Sequence, residues 1–228
     1  MLSNIRRVPS PVIWFYLLLI HAALAVALTN AYRVKAKSSP SGSSDHIQRM
    51  KRYHQWIDAN VPDQSAIFIG DSLTQGLSTA SISRNPTNFG IGGQTSGELL
   101  DSIPSYNSLA RARTIYLQIG INDILEQRFE GLPERLKVIA DRLPSDAELI
   151  WTNIMPAAVD VVQQQAILAA NEQIKASCAK RARCRYVDSW QFMADANGQA
   201  ISKYFLSDGI HLSQAGYGKW IAALRGDT

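Results

Sequence analysis

Apolar residues in this chain occur in three kinds of run, and each predicts a different element. One long, nearly uninterrupted run of about 20 residues extends from Pro11 to about Ala31, the length of a membrane-spanning helix. Short β-branched or aromatic blocks follow at Ala66–Ile69, Thr87–Phe89, Thr114–Ile119, Glu148–Asn153 and Arg185–Val187, and these read as strands. Ala66–Ile69 has no polar side chain, as expected of a strand covered on both faces. Between them, apolar residues take helical spacing. Ile47, Met50, Tyr53 and Ile57 predict a helix from about His46 to Ala59, with Asp45 as its cap. Further helices are expected from about Ser96, over Pro133–Leu143, over Val161–Ala179, and from a Ser213 cap to about Leu224. Strands separated by helices pair in parallel through right-handed crossovers. The expected fold class is α/β: a three-layer α/β/α sandwich around a mostly parallel sheet of about five strands.

The long run is flanked by Trp14 and Tyr16 at one end and Tyr32 at the other, residue types that favour a membrane interface. His21 is its one strongly polar interior residue. An uncleaved anchor is preferred over a secretory signal cut near Ala25-Val26-Ala27 or Thr29-Asn30-Ala31, because the run is long for a cleaved signal. Arg6 and Arg7 precede it and Arg33, Lys35 and Lys37 follow, so charge alone does not orient it. Ser, Pro40 and Gly42 make the next stretch a flexible linker. The expected organisation is therefore 1–32 tail and anchor (or signal sequence), 33–44 linker and 45–228 catalytic domain. The membrane, through this helix, is an expected partner.

Composition narrows the classes. The chain has 228 residues, 46% of them hydrophobic, so the part beyond the linker is large enough for one well-filled core. Its formal charge of +4 comes from scattered basic residues, several beside the apolar run, without an aromatic-interleaved basic stripe. Nucleic acid is therefore not an expected partner. Cys178 and Cys184 fit neither CxxC redox chemistry nor a zinc site. They are two separate buried thiols, or they close a small disulfide loop in an oxidising compartment. The short N-terminal tail and this pair favour a domain outside the cytoplasm, periplasmic in a bacterium.

Chemistry-bearing residues gather at the ends of the strands, the edge where open α/β sheets place ligands. Gly70-Asp71-Ser72-Leu73 follows the first strand, and Gly90-Ile91-Gly92-Gly93-Gln94-Thr95 the second. Gly120-Ile121-Asn122-Asp123 follows the third, and Asp208-Gly209-Ile210-His211 precedes the last helix. Each alone is equally a turn or a cap. Together they supply a serine hydroxyl, an imidazole, a carboxylate to orient it and amide donors, the parts an acyl-transfer serine needs. His21 lies in the apolar run, and His46 and His54 precede the sheet, which leaves His211 as the histidine of the catalytic region. Asp208, three residues earlier, is near enough in a turn to accept from Nδ1–H. Gly90-Ile91-Gly92-Gly93 is not a dinucleotide fingerprint, because Thr95 stands where the third glycine would be. Asp71 and Asp123 are expected to brace their turns. No metal site and no cofactor are expected.

In this order and spacing the four clusters resemble the SGNH hydrolases, also called the GDSL esterase/lipase family, over about Ala66 to the C-terminus. The resemblance is nearest to members like platelet-activating-factor acetylhydrolase and lysophospholipase. It implies a flavodoxin-like sheet and a serine esterase that hydrolyses an acyl or acetyl ester, a small-molecule substrate, through an acyl-enzyme. It implies Ser72, Asp208 and His211 as the catalytic set. It implies the Ser72 N–H, the Gly93 N–H and the Asn122 amide as oxyanion donors, with Gly92 as rival to Gly93. Many relatives carry Asp where this chain has Gln94, so a polar link made by that Asp is not expected here. Two other classes stay open: an O-acyltransferase using the same set, and a non-catalytic envelope carbohydrate-binding module.

Overall fold

The computed structural model describes residues 10–37 and 41–227. Helix α1 (Ser10–Lys37) occupies the long apolar run, and α2 (Ser41–Asp58) follows. The strand order along the chain is β1 (Ala66–Gly70), β2 (Pro86–Gly90), β3 (Thr114–Gln118), β4 (Glu148–Thr152) and β5 (Cys184–Val187). Helix α3 (Ser72–Gln75) follows β1 and α4 (Ser96–Ser102) follows β2. After β3 come α5 (Ile121–Leu125) and α6 (Leu132–Arg142), and after β4 comes α7 (Val161–Ala179). Beyond β5 lie α8 (Trp190–Met193) and α9 (Gln214–Arg225).

All four strand pairings are parallel, in the order β2-β1-β3-β4-β5. This is the doubly wound order in which the chain reverses direction at β1, placing a crevice at the carboxyl ends of β1 and its neighbours. The alternation of side chains along each strand builds two cores. Ile67, Ile69, Ile115, Leu117, Leu149 and Trp151 meet Leu99, Leu136, Ile139, Ile167 and Ile174 on one face. Ala66, Phe68, Ile150 and Val187 meet Leu73, Trp220, Ala223 and Leu224 on the other. With both faces covered, the central strands need no polar alternation, which is why they read as apolar blocks. Pro86 opens β2, an edge strand, where a missing N–H leaves no ladder bond unmade.

Three expectations change. The first is the membrane span over Pro11–Ala31. The run is helical, but among the described residues no helix is long and apolar enough to cross a membrane. The expected anchor, and the membrane as a partner through it, are therefore not supported among the described residues. The second is the linker at 33–44, where α1 continues to Lys37 and α2 begins at Ser41 instead of after Asp45. Serine costs only a few tenths of a kcal/mol in a helix, so a serine-rich turn can extend one that is packed further along. The tail with Arg6 and Arg7, and Ser38–Pro40, lie outside the described residues. The third narrows from two readings to one: Cys178 and Cys184, open between separate thiols and a disulfide, form the disulfide, which ties the end of α7 to the start of β5.

By contact density the chain divides into two compact units, Met1–His46 and Ile47–Thr228. The second contains the sheet and everything that follows here.

Candidate active site

The turn at the end of β1 is built by close approach. A Cβ on Gly70 would overlap the Gln118 carbonyl oxygen of β3 and the Thr74 hydroxyl, so only glycine lets the strand leave the sheet there. Asp71 then caps α3, its Oδ1 accepting from the Leu73 N–H at 3.0 Å. Ser72 is the first residue of α3, and its own N–H belongs to the first turn, where no intrahelical carbonyl is available. Tyr217 of α9 donates its hydroxyl to the Leu73 carbonyl at 3.1 Å, and Asn88 of β2 donates its amide to the Thr74 carbonyl at 2.8 Å. Two elements distant in sequence thereby hold the serine turn in place.

His211 arrives from the loop before α9. Its Nε2 lies 3.0 Å from Ser72 Oγ and its Nδ1 lies 2.7 Å from Asp208 Oδ2. Asp208 Oδ1 accepts from the backbone N–H groups of Ile210 and His211, each at 2.9 Å. The Ile210 N–H, followed by the His211 ring and the His211 N–H, holds the Asp208 carboxyl down at about 2. A charged acceptor at Nδ1 selects the tautomer that carries its proton there, which leaves the Nε2 lone pair facing the Ser72 hydroxyl. Ser72, His211 and Asp208, 139 and 3 residues apart along the chain, thus form one continuous hydrogen-bonded line. The loop is braced by the Ala158 N–H donating to the Gly209 carbonyl at 3.0 Å, so the segment after β4 supports it.

Asn122 and the glycine loop meet beside this line. The Asn122 amide donates one hydrogen to the Gln94 carbonyl at 3.0 Å, and its second hydrogen remains for another acceptor. Gly92 and Gly93 are distinguished by their partners. The Gly92 N–H donates to Gln75 Oε1 at 2.6 Å, whereas among the described residues nothing accepts from the Gly93 N–H. Gly93 has φ +78°, a backbone conformation that side chains disfavour. Gln94 is fully buried with its amide donating to Ser102 Oγ at 3.2 Å, so it makes an internal bond of its own within α4's packing.

Asp71 and Asp123, the two carboxylates beside the expected set, are both buried and point elsewhere. Burial raises Asp71 to about 7, opposed by the Leu73 N–H and by the nearby His211. Its Oδ2, the Thr74 hydroxyl and the Gln118 amide are buried with no hydrogen-bond partner among the described residues. Asp123 accepts from the Ser96 N–H at 2.7 Å, from Ser96 Oγ at 2.6 Å and from Arg135 at 3.1 Å. Among the described residues no group of three His, Cys, Asp or Glu side chains could hold a metal.

Several residues that matter here carried no signal in the sequence. Gln75, Asn88, Ser96, Arg135 and Tyr217 act across 14 to 144 positions, and no local pattern marks them. Asn171 is another. Its side chain accepts from the Ile154 N–H at 2.8 Å and donates to the Ile154 carbonyl at 2.9 Å, pinning the chain as it leaves β4. A buried asparagine in an otherwise apolar helical stripe was the one available hint.

Comparison with known proteins bears on the family and the fold. The model of the GDSL-like lipase/acylhydrolase family matches residues 68–219. None of the curated proteins matches the sequence. A Streptococcus pneumonia protein whose structure is described under the name of a platelet activating factor superposes with a TM-score of 0.67 at 23% identity, covering 90% of this chain and 98% of its own. A GDSL-like lipase from Bacteroides thetaiotaomicron gives 0.62 at 20% identity, covering 78% and 96%. A lipase/acylhydrolase from Enterococcus faecalis gives 0.58 at 17%, covering 72% and 94%. At these identities the structural likeness speaks for the fold, and the family match speaks for the family.

Proposed function

The chain belongs to the GDSL-like lipase/acylhydrolase family and is a carboxylic ester hydrolase, and on that premise we propose that Ser72 is its nucleophile, within a Ser72-His211-Asp208 triad. The observation that carries the assignment is the line from Ser72 Oγ through His211 to Asp208, with both contacts at 3.0 Å or less. Ser72 Oγ attacks the ester carbonyl carbon while His211 Nε2 takes its proton. Asp208 keeps the ring in the required tautomer and stabilises the imidazolium that forms. The carbonyl oxygen becomes an oxyanion and is met by the Ser72 N–H, the Gly93 N–H and the second Asn122 amide hydrogen. Collapse breaks the bond to the alcohol oxygen, which leaves with the proton from His211. Water enters as the second nucleophile, gives its proton to the same nitrogen, and releases the carboxylic acid.

The disulfide supports a reading of the compartment. A Cys178–Cys184 bond persists where thiols are not kept reduced, so we place the enzyme outside the cytoplasm. Comparing the protein's thiol content before and after denaturation would test this, since two free thiols in protein isolated from its native compartment would remove the support.

The test of the triad is labelling with a fluorophosphonate probe, alongside p-nitrophenyl esters from acetate to octanoate. The expected result is labelling and turnover in the wild type and neither in Ser72→Ala, with one chain length preferred. Turnover retained in folded Ser72→Ala would overturn the assignment.

A further inference from the structure

Two of the three proposed oxyanion donors sit on separate elements, Gly93 in the loop after β2 and Asn122 in α5, with a side-chain cluster behind them. Asn122 and Asp123 are consecutive residues of α5, and they grip the same short segment from two sides. Asn122 donates to the carbonyl of Gln94, while Asp123 accepts from the backbone and side chain of Ser96, two residues further on. Gly93 is the residue immediately before this segment. Any shift of Gln94–Ser96 relative to α5 therefore changes the distance between the Gly93 N–H and the Asn122 amide.

A buried carboxylate has a large desolvation penalty and keeps a fixed position only when fully paired. The Asp123 side chain is 2% exposed, and its partner is Arg135 of α6, at 3.1 Å. Arg135 does more than balance the charge. Its Nε donates to Ser96 Oγ at 2.9 Å, so that hydroxyl accepts from Arg135 while donating to Asp123. Its two terminal nitrogens also donate to the carbonyls of Glu130 and Arg128, each at 2.8 Å. One guanidinium therefore ties the first turn of α4, the carboxylate of α5 and the loop that follows α5. Its planar fork meets four acceptors that a lysine could not reach together.

We propose that Arg135 is a positioning residue for ester hydrolysis, acting through Asp123 and Ser96 to hold the Gly93 N–H and the Asn122 amide at the spacing an oxyanion requires. Arg135 touches no reacting atom in this arrangement. Its contribution is rigidity, and misplacement of a catalytic group by about 1 Å can lower a rate by about a hundredfold. The inference rests on the oxyanion assignment given above.

The test uses the full chain. Arg135→Ala is expected to lower kcat for p-nitrophenyl acetate by about 10- to 100-fold with KM within about twofold. The affinity for a trifluoromethyl ketone, which forms a tetrahedral adduct, should fall in parallel. An open cavity of about 320 Å³ lies against Asp123, Arg128 and Arg135, so millimolar guanidinium can reach the vacated position and is expected to restore part of kcat. Arg135→Lys should lie between the wild type and Arg135→Ala, and it serves as the readout if the alanine variant does not fold. Lys137→Ala, on the outer face of the same helix, should leave kcat unchanged. A folded Arg135→Ala or Arg135→Lys with full kcat, or with a loss confined to KM or thermal stability, overturns the proposal. The two readings fail separately. Activity in Ser72→Ala removes the triad, whereas an inactive Ser72→Ala beside a fully active Arg135→Ala removes only the role of Arg135.

Discussion

The acid–base half of the site and its oxyanion half are held in opposite ways. Asp208 and His211 are nearly half exposed, at 47% and 44% of their side-chain surface, and Asp208 is organised by N–H groups two and three residues away. The oxyanion donors are half-buried, and the residues that hold them are buried. Asp123, Ser96 and Gln94 are almost fully enclosed, and their partners come from α4, α5 and α6. The difference has a physical basis. An imidazole that trades protons with a hydroxyl needs a charged neighbour and a little freedom, and a tight local turn supplies both. Donors for an oxyanion must already be in position when charge develops, because their value lies in not having to reorganise. Rigidity of that kind comes from packing many elements together.

The largest effect expected is from His211→Ala, which removes the base and should lower kcat by about 10⁴ or more while leaving the fold and its melting temperature little changed. A large drop in stability would mean that the exposed half also supports the structure. Next is Asn122→Ala, expected to lower kcat by about 10² to 10³ through loss of one oxyanion donor. The same substitution removes the bond to Gln94, so unlike His211→Ala it should also lower the melting temperature measurably. Steady-state kinetics and thermal melts on both variants separate the two halves, and equal melting temperatures would break the contrast.

The smallest effect concerns pH. The folded protein holds Asp71 at about 7 against an ordinary 3.8, chiefly through burial. The native state therefore keeps a proton that the unfolded chain releases, and this contribution to stability is present below about 4 and lost as pH rises towards 7. Asp208, held near 2, stays charged across this range. Melts from pH 4 to 7 should show the wild type losing stability relative to Asp71→Asn, with no such slope in the comparison with Asp208→Asn. His54, lowered by burial from 6.5 to about 4, contributes the opposite trend in all three proteins and so cancels from the differences. A flat difference for Asp71→Asn would show that its carboxyl is not protonated in the folded state.

The same division describes what could be read from the chain. The interval Val161–Ala179 was legible as a helix, and the structure adds a capping box between Asp160 and Gln163 at its start. The five strands were legible within one or two residues, the central ones because burial on both faces leaves an apolar block bounded by turn residues. The Asp208–His211 turn was legible because its geometry spans four residues. Short elements were not. The five-residue α5 and four-residue α8 hold too few positions for a helical period, and tertiary contacts decide them. The N-terminal run shows the opposite failure, in which length and hydropathy alone predicted a span that the described residues do not form.

The amino-acid pattern by itself determined the class of fold, the parallel pairing and the identity of the groups that could perform acyl transfer, because each depends on short-range periodicity or on a motif a few residues long. Only the tertiary structure decided that Gly92 is bound to Gln75 while the Gly93 N–H has no acceptor among the described residues. It alone decided that the Cys pair is bonded and that Arg135 stands behind the oxyanion donors. Those facts concern single hydrogen bonds and one covalent bond between residues distant along the chain or at a loop's two ends. Whether such groups come within about 3 Å is set by how helices seat on the sheet, which no local pattern of residues records.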